Sequence, residues 1–276
     1  MRVAYQGEAG AFSESAARRI LGTDIVGVPC ESFDRMFAAV GEGSADCCVA
    51  PIENSLAGSI HRNYDLLLAS ELTIAGETSI RIVHNLIAPP NVGFESLRRV
   101  YSHPVALAQC TRFFAKHPHI EPMPVHDTAG SVRMIMDRRR DDEGAIASAA
   151  AADIYGGRVL LENVEDNAQN FTRFFLLAPA GQTIETHEAT RRWKTSIVFR
   201  CANKPGALFR ALGAFAIHEI DLSKIESRPI EGHPWEYAFY LDFEGKRDEA
   251  NVARALDSLS GMAQMVRVLG SYRTRW

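Results

Sequence analysis

From the N-terminus to about Pro179, short continuous apolar runs alternate with stretches whose apolar residues recur every three or four positions. Runs of the first kind read as buried strands. Those of the second kind read as helices with one face on a core. Strands are predicted at 3–7, 45–50, 99–101, 123–126, 145–147, 158–161 and 171–178, with two more filling 72–88 before the Pro89-Pro90 break. Helices are predicted from Ser13 to about Leu21, and from Ser32 onward, where Phe33, Met36, Phe37 and Val40 share a face until Gly41 and Gly43 stop it. Others follow around Ile60, Tyr64, Leu67 and Leu68, from 104 to about 116, from 128 to 140, and over 149–155. Strands alternating with helices define an α/β fold with largely parallel strands.

The junctions carry the polar residues. Ser13, Ser102, Thr128 and Ser148 each stand where a strand hands over to a helix. Taken singly, each hydroxyl reads as a helix cap. Together they line the carboxyl ends of the strands, where open α/β sheets bind ligands, beside helix N-termini that receive anions. The loop ahead of Ser13 is spaced GxxGxxS and lacks the dinucleotide fingerprint GxGxxG, so it suits a small carboxylate better than a cofactor phosphate. Pro51-Ile52-Glu53-Asn54-Ser55 reads as another polar loop after a strand. The densest polar stretch, residues 163–174, holds three Asn, two carboxylates, a Gln, a Thr and an Arg between two strand runs. Alternation along the second run sends Thr172 and Phe174 to one face and Arg173 to the other. A polar turn before an edge strand is the plain alternative for that stretch. The remaining junctions favour a pocket for a small polyanion.

After Pro179 the pattern changes. Residues 181–193 are polar and irregular and read as a linker. Strands at 195–201, 222–230, 235–243 and 265–272, with helices at 207–218 and 248–260, then give a βαββαβ order, the ferredoxin-like arrangement. Asn203-Lys204-Pro205-Gly206 brings its first strand to a helix N-terminus suited to a carboxylate. A length of 276 residues fits about two domains, and 46% hydrophobic with 23% charged residues is a globular composition. The net charge of -4, with scattered Lys and Arg, excludes a nucleic-acid footprint. Arg138-Arg139-Arg140 followed by Asp141-Asp142-Glu143 reads as a helix end running into a solvated turn. The start at Met1 enters a strand directly, with no secretion segment, and no apolar stretch is long enough to span a membrane. Five cysteines without a CxxC pair read as reduced thiols, so a cytoplasmic protein is expected.

These segments, taken in order, resemble the prephenate dehydratase family with its C-terminal ACT regulatory domain, over nearly the whole chain. Asn170-Phe171-Thr172-Arg173-Phe174 resembles the family's catalytic NxTRF motif. Residues 51–55, Ser102-His103-Pro104, Asp127-Thr128-Ala129 and Ala147-Ser148 resemble its other cleft motifs. Gly206-Ala207-Leu208-Phe209 resembles the GALV segment, and Glu226-Ser227-Arg228-Pro229 reproduces the ESRP segment. Two positions depart from the pattern: Val105 where Gln is usual, and Phe209 in place of the Val of GALV, which would narrow the effector pocket.

The resemblance implies a two-subdomain catalytic domain like that of periplasmic binding proteins, plus an α+β ferredoxin-like ACT domain. Residues 1–180 would be catalytic, with one subdomain of about 1–78 plus 165–180 and another of 79–164. Residues 181–193 would link them to an ACT domain at 194–276. The implied activity is a carbon–oxygen lyase reaction, decarboxylative dehydration of prephenate to phenylpyruvate in L-phenylalanine biosynthesis. It needs no metal and no organic cofactor. Thr172, Arg173 and Asn170 would be catalytic. Ser13, Glu53, Asn54, Ser55, Ser102, Gln109, Asp127, Thr128, Ala129, Ser148 and Phe174 would bind substrate. L-Phenylalanine would act as effector at Asn203, Pro205, Gly206, Ala207, Leu208, Phe209, Glu226, Ser227, Arg228 and Pro229, across a homodimer or homotetramer. With no chorismate mutase segment before residue 1, the monofunctional form is expected. Glu53 is a second candidate acid. Arogenate is the nearest alternative substrate, and a non-catalytic sensor of aromatic acids is the alternative of another class.

Overall fold

A computed structural model of the chain describes residues 1–187, 192–230 and 232–274. Two compact units emerge, one made of residues 1–64 and 79–175, the other of 65–78 and 176 onward.

The first unit opens with β1 (Arg2–Gln6), α1 (Phe12–Leu21), β2 (Val26–Cys30), α2 (Phe33–Gly41), β3 (Cys47–Asn54), β4 (Gly58–Ser59), α3 (His61–Ala69) and β5 (Leu72–Arg81). Then come β6 (Asn85–Ala88), β7 (Arg99–Ser102), α4 (Pro104–Ala108), α5 (Thr111–Lys116), β8 (Glu121–Pro124), α6 (Thr128–Arg138), β9 (Glu143–Ala147), α7 (Ala149–Tyr155), β10 (Arg158–Leu161) and β11 (Phe171–Pro179). One sheet has the order β2-β1-β3-β11-β5, with β4 paired to β3; the other has the order β10-β6-β9-β7-β8. The unit boundaries fall inside α3, β5 and β11.

β3 is an inner strand, and residues 47–52 are buried without alternation, as a strand covered on both faces requires. Cys47 and Cys48 therefore point to opposite faces and are both buried. Three of the strand prolines sit on edge strands, Pro29 on β2 and Pro122 and Pro124 on β8, where no ladder partner is lost; Pro51 is an exception, within the inner strand β3.

Several predicted elements shift. β3 runs on through Glu53 and Asn54, so these residues end a strand and do not form a loop. The helix expected over 104–116 is two short helices, and the strand expected at 123–126 lies at β8. The second sheet is mixed, because β6 runs antiparallel to both β9 and β10 while β7 runs parallel to β8 and β9. The turn after α6 is exposed, but Glu143 is not. It is fully buried, hydrogen-bonded by the Tyr101 hydroxyl at 3.0 Å, with Arg99 at 3.6 Å.

The second unit adds β12 (Arg192–Arg200), α8 (Ala207–Ala216), β13 (Leu222–Ile230), β14 (His233–Glu244), α9 (Ala250–Ser260) and β15 (Met265–Thr274). Its sheet order is β13-β14-β12-β15, fully antiparallel, with Phe215 of α8 and Leu259 of α9 in one core with Phe199 and Phe243. This is the ferredoxin-like arrangement that the pattern of strands and helices predicts.

The same unit holds the segment 65–78. Arg267 donates to the carbonyls of Leu68 at 2.8 Å and Ser70 at 2.6 Å. At Gly270 an added Cβ would lie 2.2 Å from the carbonyl oxygen of Ile74, so only glycine allows this approach. The Lys194 ammonium meets Glu77 at 2.6 Å in a buried pair, and the Thr274 hydroxyl also donates to that carboxylate.

Candidate functional site

The chain passes between the two sheets of the first unit twice, at 82–84 and again at 162–170, and the two passages are hydrogen-bonded together. Ile82 N–H donates to the Asn170 carbonyl at 2.8 Å, and Val164 N–H to that of His84 at 2.9 Å. Glu165 accepts from His84 N–H at 2.9 Å and from the Arg81 guanidinium at 2.9 Å. Asp166 accepts from the N–H groups of Thr111 at 2.9 Å and Arg112 at 2.8 Å, so it caps α5 from a distant part of the sequence. Burial alone would raise the Asp166 pKa, but the Thr111 hydroxyl and these two N–H donors outweigh it and hold the carboxyl below its ordinary value.

Asn54, Asn170 and Thr172 converge on this support, all buried. Asn54 Nδ2 donates to Asn170 Oδ1 at 2.7 Å and to Thr172 Oγ1 at 2.9 Å. Its Oδ1 accepts the N–H groups of Leu56 at 3.0 Å and Ala57 at 2.9 Å. Main-chain N–H groups can only donate, so this amide has one possible orientation. The Thr172 oxygen is therefore an acceptor from Asn54, and its own O–H has no acceptor among the described residues. Asn170 Nδ2 in turn donates to Gln109 Oε1 at 2.9 Å. Ser55 closes the edge, its hydroxyl donating to the Gln169 carbonyl at 2.8 Å and accepting from Phe171 N–H at 2.9 Å.

Strand β11 alternates as its sequence predicts. Arg173 lies on the face opposite Thr172, its guanidinium carbon 4.9 Å from the centroid of the Phe175 ring. The same alternation places Phe174 on the side of Thr172, buried at 2% exposure.

The predicted hydroxyl caps are corrected by the structure. Of the four junction hydroxyls Ser13, Ser102, Thr128 and Ser148, Ser148 alone caps its helix, accepting Ala151 N–H at 3.1 Å while donating to the Gly10 carbonyl at 2.6 Å. At α6 the cap is Asp127, not Thr128, and at α4 it is the His103 ring, not Ser102. In both cases the acceptor stands at the N-cap position itself, in extended backbone, whereas Thr128 is already the first residue of its helix and Ser102 lies one residue before the cap. Ser102 is fully buried and donates to the Ile146 carbonyl at 2.6 Å, which ties β7 to β9. Ser13 lies inside α1 and Ala129 is buried inside α6. In the loop before α1, Gly10 has φ of 85° and an added Cβ would lie 2.7 Å from the Cα of Ala151, so the two helix N-termini approach through it.

A cavity of about 490 Å³ is lined by Gln6, Gly7 and Glu8 from one sheet and by His126 and Asp127 from the other. It does not include Asn54, Asn170 or Thr172. Those three share their network with a residue that the sequence reading missed, His84, whose Nε2 lies 2.9 Å from Gln109 Oε1. The signal for it was the pair His84-Asn85, polar residues between two apolar strand runs.

In the second unit, Gly206 opens α8 in the left-handed region with φ of 76°, and Phe209 beside it is 80% exposed. Strand β13 alternates, so Glu226 and Arg228 lie on the half-buried face and Ser227 and Pro229 on the exposed one. Glu226 meets Lys224 at 3.6 Å, and Arg228 meets Asp65 at 2.9 Å.

Two α/β subdomains joined by paired crossovers, with a ferredoxin-like domain after them, make this a two-lobed α/β protein with an appended module of regulatory type. Comparison with known proteins narrows that class. The prephenate dehydratase family model matches residues 3–182, and the ACT domain model matches residues 195–261. The chain belongs to the prephenate dehydratase family, carbon–oxygen lyases, and carries an ACT domain. It is 45% identical over 281 residues to an Arabidopsis thaliana protein named arogenate dehydratase/prephenate dehydratase 2, chloroplastic, covering 99% of this chain and 72% of that protein. A prephenate dehydratase from Arthrobacter aurescens, solved in complex with L-Phe, matches with a TM-score of 0.89 and 33% identity, covering 99% of this chain and 90% of that one. A structure described as GqqA, a quorum-quenching acylase, matches with a TM-score of 0.90 and 34% identity over 99% of this chain and 98% of that one.

Proposed function

We propose that the protein converts prephenate to phenylpyruvate, with loss of carbon dioxide and the ring hydroxyl, and that L-phenylalanine regulates it through the ACT domain. The observation that carries this reading is the direction of the Thr172 hydroxyl. Asn54 occupies its acceptor side, so the proton is available to a departing hydroxyl. A Thr hydroxyl is a weak acid unaided, and positioning in a buried amide network supplies most of the effect. Asn170 and Arg173 act as positioning residues, Asn170 by accepting from Asn54 and passing its orientation on to Gln109, and Arg173 by ordering β11. Gln109 and Thr128 remain the candidate carboxylate contacts, with Ser55 and Asp127 ordering the turns beside them and Ser102 and Ser148 shaping the walls. We place the catalytic boundary near residue 180, the linker at 181–193 and the ACT domain from 194, with residues 188–191 of that linker outside the described residues. We also place the protein in the cytoplasm as a homodimer or homotetramer, a reading that its five free thiols suit. Among the described residues no helix is long and apolar enough to cross a membrane.

A second reading concerns substrate, since several relatives carry arogenate dehydratase in their names. An acylase reading has less support. A Thr nucleophile needs a base at its hydroxyl, and the Thr172 hydroxyl instead meets the Asn54 amide, a donor to it. The deciding experiment gives the purified protein prephenate or arogenate and measures phenylpyruvate or phenylalanine, with and without added L-phenylalanine. Phenylpyruvate from prephenate, suppressed by L-phenylalanine, is the expected result. Phenylalanine from arogenate alone would transfer the reading to that substrate. No product from either would overturn it in favour of a sensor.

A further inference from the structure

The amide network that orients Thr172 ends at His84. The ring is 2% exposed, its edge packs against Phe12 at a centroid distance of 5.7 Å, and its main chain holds Val164 and Glu165. The polarity of the network assigns the ring's proton. Leu56 and Ala57 N–H fix Asn54 with Oδ1 toward them, so Asn54 Nδ2 faces Asn170. Asn170 then accepts with Oδ1 and donates with Nδ2, which requires Gln109 to present its oxygen. An oxygen 2.9 Å from His84 Nε2 requires N–H at that nitrogen. The other ring nitrogen, Nδ1, is buried and has no hydrogen-bond partner among the described residues. A phenylalanine would fill the same space without an orphaned polar atom, so packing does not account for an imidazole here.

We propose that His84 is a positioning residue for the reaction. Its Nε2–H and the Asn170 amide together claim the Gln109 oxygen. The Gln109 –NH2 group is thereby turned away from both as a donor to an acceptor-only group, a carboxylate of the substrate. Burial, against the opposing effects of Gln109 and Glu165, keeps the imidazole below its ordinary pKa and hence neutral, as this arrangement needs.

The proposal rests on the dehydratase reading, and its test separates the two. His84→Phe should keep its melting temperature within a few degrees and lose about tenfold in kcat/KM, mainly through KM, the order expected for one misdirected hydrogen bond. His84→Gln, whose side-chain N–H reaches the same oxygen, should recover most of that loss. In the wild-type protein, two-bond 1H–15N NMR of labelled histidines should show His84 as the neutral Nε2–H form. An Nδ1–H form, an unimpaired His84→Phe, or a His84→Gln as impaired as His84→Phe would each overturn the assignment. If the wild type turns over neither substrate, the dehydratase reading fails by itself. The NMR spectrum still decides the proton on His84.

Discussion

Asn54 offers one amide oxygen and one amide nitrogen, and the main chain of the turn after it claims the oxygen. Everything chemical about Thr172 follows from that constraint. Valine has the shape of threonine without the hydroxyl, so Thr172→Val should remove the donor while Asn54 keeps its bond to Asn170. We expect kcat to fall about a hundredfold or more, as for loss of a comparable transition-state donor, with little change in melting temperature. Thr172→Ser, which keeps the hydroxyl, should retain substantially more activity. A valine variant with wild-type turnover would remove Thr172 from the chemistry. The burial of Thr172 and the opposite facing of Arg173 were legible from the alternation of β11 alone. Its partner was not, because Asn54 lies 118 residues away and only the sheet order brings β3 beside β11.

At the scale of elements, strand and helix positions were readable because each repeats a short apolar period, whereas the caps were not. Ser13, Ser102 and Thr128 have the right residue type at the right junction. At two of those junctions the cap falls to the adjacent residue, Asp127 before Thr128 and His103 after Ser102, and which residue takes the cap position depends on backbone φ and ψ that sequence does not give. Asp166 is the extreme case, capping a helix whose first residue lies 55 positions away. Asp166→Ala should cost about 1 kcal/mol, a usual N-cap magnitude. It should also loosen the crossover that carries Asn170. Because its pKa is lowered on folding, the stability it contributes is present above the unfolded value, about 3.9, and is lost as pH falls through the folded value. Denaturant unfolding from pH 7 to pH 3 should therefore show the wild type's advantage over Asp166→Ala holding constant to about pH 4 and then shrinking. A gap that widens in acid would contradict the assignment of Asp166 as a charged cap.

At the scale of the molecule, the matched family regions and the compact units divide the chain differently. Residues 65–78 lie within the prephenate dehydratase match, yet they gather with the ACT sheet, held by Arg267, by Gly270 and by the Lys194–Glu77 pair. No local pattern announces this, since these are contacts between a buried strand and residues far downstream. Arg228 belongs to the same set. It reads from sequence as part of the effector segment, but its guanidinium forks onto Asp65 at 2.9 and 3.3 Å. Asp65 lies on α3, whose neighbouring Asn63 donates to the Pro51 carbonyl at 2.6 Å, three residues before Asn54. An effector that draws on the Glu226–Pro229 segment would therefore bias α3, and α3 abuts the strand that orients Thr172. The pair is partly exposed, so it contributes little to stability, about 1 kcal/mol or less. Its effect should appear in regulation. Asp65→Asn should leave uninhibited kcat within about twofold of wild type while raising the L-phenylalanine concentration for half-inhibition by about fivefold, the lower end of common coupling energies. Dose–response curves on the two proteins, at fixed substrate relative to KM, make the comparison. An unchanged half-inhibition would mean that the signal does not pass through Arg228 and α3.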